Sequence, residues 1–322
     1  REHYGLAVDL GSTTVVARLF DCNTGKCLAE DSAYNRQIAF GTDILTRIFY
    51  SKDQPEKLEE LRRAAVGSIR EVLEKLEKKT GIAPGGSIQL VLAGNTTMVH
   101  FFLGLDAFCV FQTPYAVQAD RPGFLPAAEL ELPVSGYVYC YPGKSNYLGG
   151  DIISGMVATE LYKKEGISVF FDIGTNGELV VGNREFLLCG AGAAGPALEG
   201  GVVRTGMRAS EGAVERVKLT ENGFELGVIG GGRPEGICGS GIIDLLAELF
   251  LAGWIDLRGK FVPEKSEKIQ EKDGMYAVEY APGLFFYQSD VDEFLRTKAA
   301  ASTMVEYMLG EAGIGMNDIS EF

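Results

Sequence analysis

Two short segments constrain what this chain can fold into. VDLGSTTVVARLF sets Asp9, Gly11, Ser12, Thr13 and Thr14 between apolar runs, and FFDIGTNGELVVG does the same for Asp172, Gly174, Thr175, Asn176 and Gly177. Each predicts a strand, an Asp-x-Gly-(Ser/Thr) turn and a second strand. Glycine lets backbone N–H groups approach an anion without an intervening Cβ, and the hydroxyls of Ser12, Thr13, Thr14 and Thr175 add donors. Asp9 and Asp172 would repel a phosphate. Their expected role is to hold Mg²⁺, directly or through its waters, or to orient an attacking water. One such segment alone is ordinarily a plain hairpin. Two copies predict a phosphate chain and its metal held from two sides, as in an ATP cleft between two similar domains.

Other phosphate loops do not fit. No G-x-x-x-x-G-K-(S/T) occurs, and CGAGAAGPALEGG, from Cys189 to Gly201, lacks the strand–helix setting of a dinucleotide fingerprint and contains Pro196.

The chain has 322 residues, room for two domains of roughly 100–200 each. A net charge of −14 argues against nucleic acid and anionic membranes as partners, since both require a basic face. No apolar run reaches the ~18 residues of a membrane span. The six cysteines form no C-x-x-C, and Glu30 stands where a plant-type iron–sulfur run opened by Cys22 and Cys27 would need its third cysteine. Reduced thiols in a cytoplasmic protein are expected. With only His3 and His100 present, a histidine metal site or catalytic triad is not expected.

Strands are predicted over Tyr4–Asp9, Thr14–Cys22, Lys26–Tyr34 and Ser87–Ala93. A helix is predicted over Pro55–Lys79, with Leu58, Leu61, Ala65, Ile69, Val72 and Leu76 on one face. Asn95 follows a strand and precedes a helix over Thr96–Leu103. It is either a ligand-facing residue at a strand's carboxyl end or simply an N-cap. His100 on that helix reads as a packed core residue. NYLGGDI opens a helix reaching about Lys164, with Asp151 in its first turn. Asp151 is either a dipole-favoured carboxylate or a residue facing phosphate-bound metal or water.

In the second half, strands are predicted over Ser168–Asp172, Gly177–Gly182 and Glu185–Gly190. Arg204 and Arg208 could meet phosphate or a partner, or pair with Glu199 or Glu211. A glycine loop from Gly230 to Gly241, with Gly236, Gly239, Ser240 and Gly241, feeds an apolar helix ending near Gly253. Its N–H groups would favour a nucleotide, or the loop merely packs a buried helix. A last helix is predicted over Asp290–Glu311, with Ser289 and Asp292 as a capping box.

These motifs resemble a known family. The paired Asp-Gly hairpins are similar to those of the acetate and sugar kinase, Hsp70 and actin superfamily. LAGNTTMVHFFLG, NYLGGDI, FFDIGTNGELVVG, CGAGAAGPALEGGVVRTGMRASEGAVE, PEGICGSGIIDLLAEL and DVDEFLRTKAA resemble the reductive activators of corrinoid enzymes, in order along nearly the whole chain. The resemblance implies an α/β, two-domain actin-like (ribonuclease H-like) ATPase fold with a nucleotide cleft between the domains, one of residues 1–166 and one of residues 167–322. It implies ATP and Mg²⁺ as ligands, with Asp9, Asp172 and Asp151 as catalytic carboxylates and Asp9 and Asp172 at the metal. The loops Gly11–Thr14 and Gly174–Gly177, with Asn95, Gly236, Gly239, Ser240 and Gly241, would contact nucleotide. The implied activity is ATP hydrolysis that helps return a partner corrinoid protein to Co(I). Electrons would arrive through an iron–sulfur domain upstream of Arg1, and a homodimer fits the family. The sequence stops at NDISEF, where the family continues into a Gly-Gly-Phe-Gly-like adenosine loop. A small-molecule kinase, with Asp151 as base, and an actin-like assembly module are the competing expectations.

Overall fold

The computed structural model describes residues 3–322 apart from residues 87, 175, 194, 195, 200 and 201. Two compact units emerge, one of Arg1–Phe170 with Gly182–Cys189 and one of Phe171–Val181 with Gly190–Phe322.

The first unit is built on a six-stranded mixed sheet. β1 (Tyr4–Leu10), β2 (Thr14–Asp21) and β3 (Lys26–Tyr34) form an antiparallel meander. α1 (Ile44–Ser51) and α2 (Pro55–Thr80) follow, and then β4 (Ile88–Gly94) enters parallel to β1. After α3 (Thr96–Leu103), β5 (Gly123–Pro126) and β6 (Tyr137–Cys140) complete the order β3-β2-β1-β4-β6-β5. Ser87, predicted to open β4, lies outside the described residues.

α2 forms where the apolar stripe predicts it. Leu61, Ala65, Ile69, Val72 and Leu76 are buried, and the helix lies against β2 and β3. It stops at Gly81, whose left-handed backbone (φ 73°) lets its N–H reach the Glu77 carbonyl. The stripe joins Leu6, Val8, Leu10, Leu90, Leu92, Phe101 and Phe102 in one core.

α4 (Gly150–Thr159) is shorter than the predicted helix to Lys164. Glu160 adopts a left-handed conformation (φ 52°) and ends it. A 3₁₀ turn over Leu161–Lys163 then carries Leu161 into the interior.

Four strands follow in the order β16-β7-β8-β9: β7 (Ile167–Ile173), β8 (Asn176–Gly182), β9 (Leu187–Ala193) and, at the far end of the chain, β16 (Ile319–Glu321). β9 starts two residues later than predicted, because the Asn183 carboxamide accepts from the N–H groups of Glu185 and Phe186 and bends the chain there.

The second unit also contains β10 (Ala213–Thr220), β11 (Gly223–Val228) and β12 (Gly236–Ile237) in one sheet, and β13 (Ile269–Lys272), β14 (Met275–Ala281) and β15 (Leu284–Tyr287) in another. Neither of these sheets has a counterpart among the sequence expectations. α5 (Gly239–Leu251) packs on β10. α6 (Gln288–Glu311) begins two residues early, and its cap differs from the predicted Ser289–Asp292 pair. The Asp290 carboxylate accepts from the Tyr287 N–H instead, at 2.9 Å. Val214, Ile237, Ile242, Leu245, Leu249, Val278, Phe286 and Val291 form this unit's core. Among the described residues, no helix is long and apolar enough to cross a membrane.

Candidate functional site

The parallel pairing of β1 with β4 brings two chain turns to one corner of the first unit. Asp9 aligns with Ala93 and Leu10 with Gly94. Just beyond, β1 turns through Gly11–Thr13 into β2, while β4 turns through Asn95 into α3. The carboxyl ends of parallel strands are where α/β sheets collect ligands.

Glycine is required here for close approach. A Cβ on Gly11 would lie 2.5 Å from the Thr14 carbonyl oxygen, one on Gly94 would lie 2.8 Å from that of Leu10, and one on Gly149 would lie 2.5 Å from that of Gly94. The end of β1, the end of β4 and the start of α4 therefore stack backbone on backbone. This brings Asp9, Ser12, Thr13, Asn95 and Asp151 onto segments that meet. Asp9 is exposed, and the loop from Gly11 to Thr14 is half-buried. Asp151 is half-buried in the first turn of α4, where the helix dipole favours a carboxylate, and its Oδ1 accepts from the Ile152 N–H at 2.8 Å. A depression lined by Thr96, Asp120, Tyr141, Gly143, Gly149 and Gly150 opens beside the corner.

Asn95 acts as an N-cap: its Oδ1 accepts from the Met98 N–H at 2.9 Å. His100 is fully buried, with Nδ1 2.7 Å from the Thr96 carbonyl and Nε2 accepting from the Gln118 N–H at 3.2 Å. Those partners place the proton on Nδ1, and burial holds the imidazole's pKa below its ordinary value. It is the packed residue the sequence suggests.

The residues that shape the first loop carry no sequence signal. Asn35 donates from Nδ2 to the Gly11 carbonyl at 2.9 Å and from its backbone N–H to the Thr13 carbonyl at 2.9 Å. The Asn35-Arg36-Gln37 run looks like a solvated connection between strand and helix. Asn35 and Gln37 are instead fully buried, as is Arg47.

In the second unit, Asp172 and Ile173 end β7, Asn176 opens β8, and the two strands are neighbours in their sheet. Asp172 is exposed, Gly174 half-buried and Gly177 buried. Thr175 lies outside the described residues.

The α5 glycines have a packing explanation. A Cβ on Gly236 would meet the Thr205 carbonyl at 2.6 Å, one on Gly239 that of Leu198 at 2.1 Å, and one on Gly241 that of Val214 at 2.2 Å. Ser240 is exposed in the first turn, its Oγ 3.4 Å from the Cys238 sulfur. Arg204 pairs with Asp273 at 3.2 Å and stacks on the Tyr287 ring, 4.1 Å from its centroid; the Glu199 side chain lies outside the described residues. All six cysteines are free thiols. Among the described residues, no three His, Cys, Asp or Glu side chains converge as metal ligands.

Comparison with known proteins adds a family context. Residues 4–164 match the model described as the RACo middle region, and residues 166–322 match the C-terminal domain of RACo, its ASKHA domain. A protein of Eubacterium limosum named corrinoid activation enzyme RamQ is 36% identical over 261 residues, covering 80% of this chain and 44% of its own length. A [Co(II) methylated amine-specific corrinoid protein] reductase of Methanosarcina barkeri is 23% identical over 348 residues, covering 98% of this chain and 61% of its own. A solved structure titled as a reductive activator for corrinoid, iron–sulfur protein superposes with a TM-score of 0.90 at 39% identity, over 98% of this chain and 52% of that one. The chain thus spans about half the length of these relatives.

Proposed function

Since the chain belongs to the RACo family, with the middle region and the actin-like ASKHA domain of that family, we propose that it is the ATP-hydrolysing core of a reductive activator of corrinoid proteins. Three relatives are named for corrinoid activation or reduction, which supports a corrinoid protein as partner. The observation that carries the nucleotide reading is the corner where Gly94 and Gly149 bring three backbones together and Gly11 closes the adjoining turn, on segments that carry Asp9, Ser12, Thr13 and Asp151.

That corner suits a phosphate and its magnesium ion. The Cβ-free turn offers peptide N–H and hydroxyl donors to phosphate oxygens, while exposed Asp9 is a hard oxygen ligand of the kind Mg²⁺ takes through its waters. When bound, the ion would neutralise phosphate charge. The exposed carboxylate of Asp172, beside Gly174 on the second hairpin, has the same chemistry. Asp151 is suited to orient a water, because the dipole of α4 favours its ionised form. Gly236, Gly239, Ser240 and Gly241 are retained as nucleotide contacts on the α5 N-terminus, although packing already accounts for the glycines.

In the full reaction, hydrolysis would help drive the uphill return of the partner's Co(II) corrinoid to Co(I). Electrons would come through an iron–sulfur domain preceding this segment. A cytoplasmic location, a homodimer and a division near residue 166 complete the proposal. The test is ATP turnover by the wild type and by Asp172→Ala. Abolished hydrolysis is expected, and unchanged turnover contradicts the site assignment.

A further inference from the structure

We propose that Asn35 is a positioning residue for the first loop, fixing the backbone that presents donors to phosphate. The phosphate part rests on the nucleotide reading above; the loop-fixing part stands on geometry alone.

Asn35 takes both carbonyls that bracket the loop tip. Nδ2 donates to Gly11 and the backbone N–H to Thr13, each at 2.9 Å. In a planar trans peptide the C=O and N–H point in opposite directions. Turning the Gly11 carbonyl toward Asn35 therefore turns the Ser12 N–H away from it. It also withdraws a partially negative oxygen from the side an anion would occupy.

Asn35 is itself held in place. Its Oδ1 accepts from the Gln37 N–H at 3.0 Å, and its Nδ2 lies 3.3 Å from Gln37 Oε1. Gln37 Nε2 donates to the Leu61 carbonyl in α2 at 2.9 Å, and Arg47 Nη1 reaches Gln37 Oε1 at 3.4 Å. The Arg36 N–H is bound by Ser68 Oγ, also in α2. Met98 closes the strut: its sulfur lies 3.7 Å from Asn35 Nδ2 and 3.5 Å from Arg47 Nη1, and its N–H is the one Asn95 caps. Asn35, Gln37 and Arg47 are each 0% exposed. Three such side chains inside an apolar core are costly compared with hydrocarbon. An apolar residue at position 35 would fill the space but could not bind the Gly11 carbonyl.

The experiment uses the chain as it stands, with Asn35→Ala, the milder Asn35→Ser, and Leu73→Ala as a core-cavity control. Amide hydrogen exchange at Ser12–Thr14 and the Kd for Mg-ATP are measured beside the melting temperature. Both Asn35 variants should speed exchange at the loop at least tenfold relative to β1, and weaken Mg-ATP about tenfold. Leu73→Ala should lower the melting temperature and move neither. If loop exchange is unchanged in a folded Asn35 variant, or rises equally in Leu73→Ala, the loop-fixing claim is overturned. Faster loop exchange with unchanged Kd overturns the phosphate claim. If the wild type binds no Mg-ATP, the nucleotide reading fails, and the exchange data still decide the loop.

Discussion

A Cβ on Gly149 would fall 2.5 Å from the Cα of Asn95. The start of α4 thus rests directly on the backbone corner that follows β4, and the GGD of one motif packs against the GN of another. Gly149 has an ordinary extended backbone (φ −88°), so the constraint is contact rather than conformation. Gly149→Ala should cost about 3 kcal/mol, since neither backbone can yield cheaply. The melting temperature should fall by at least roughly 5 °C. Thermal unfolding beside Gly310→Ala, at a site with nothing within 4 Å of the added Cβ, checks this.

His100 predicts a pH effect of definite sign. Its pKa is lowered by burial from an unfolded value of 6.5, so the unfolded chain takes the proton first. Its contribution to stability is complete above pH 6.5 and is lost as pH falls below that value. Urea unfolding from pH 7.5 to 5 should show a steeper loss in the wild type than in His100→Gln.

Asp290 predicts the opposite slope. It is 1% exposed, accepts from the N–H groups of Tyr287 and Arg204, and burial raises its pKa above 3.8. The folded state therefore keeps a proton that the unfolded state has lost, and the associated stability disappears as pH rises through the folded pKa. Asp290→Asn removes this titration but turns an amide N–H toward one of the backbone donors, at a cost of about 1–3 kcal/mol. The stability gap between the wild type and Asp290→Asn should narrow as pH rises across that window.

Arg47 is buried with Nη2 lacking a hydrogen-bond partner, and desolvation lowers its pKa to about 10. Arg47→Met keeps most of the volume and removes the buried charge, but it also takes the Nε donor from the Gly41 carbonyl, so it should cost about 1 kcal/mol. Arg47→Ala leaves a cavity and should cost about 3 kcal/mol. Equal losses in the two variants would contradict the desolvation argument.

How far each feature was legible depends on the range of the physics behind it. α2 and the α3 cap are local: a stripe at steps of three and four, and an Asn before the first turn with Gly104 after the last, are visible in sequence. β13 and β15 are not, because IQEK and LFFY are four residues each and too short to set a period. The end of α4 turns on Glu160 leaving the helix so that Leu161 can be buried, which is a tertiary preference. Asp9, Gly11 and Asn95 stand out by residue type, whereas Asn35 reaches Gly11 across 24 positions and resembles an ordinary loop polar residue.

The central claim is that this chain hydrolyses ATP in the service of a corrinoid partner. The most direct measurement is phosphate release from ATP by the intact protein, with and without a Co(II) corrinoid protein, in the wild type and Asp9→Ala. The account predicts slow release of free phosphate, stimulated by the partner and lost in Asp9→Ala. Phosphate appearing on a sugar or carboxylate acceptor, or turnover indifferent to both the partner and Asp9, would contradict it.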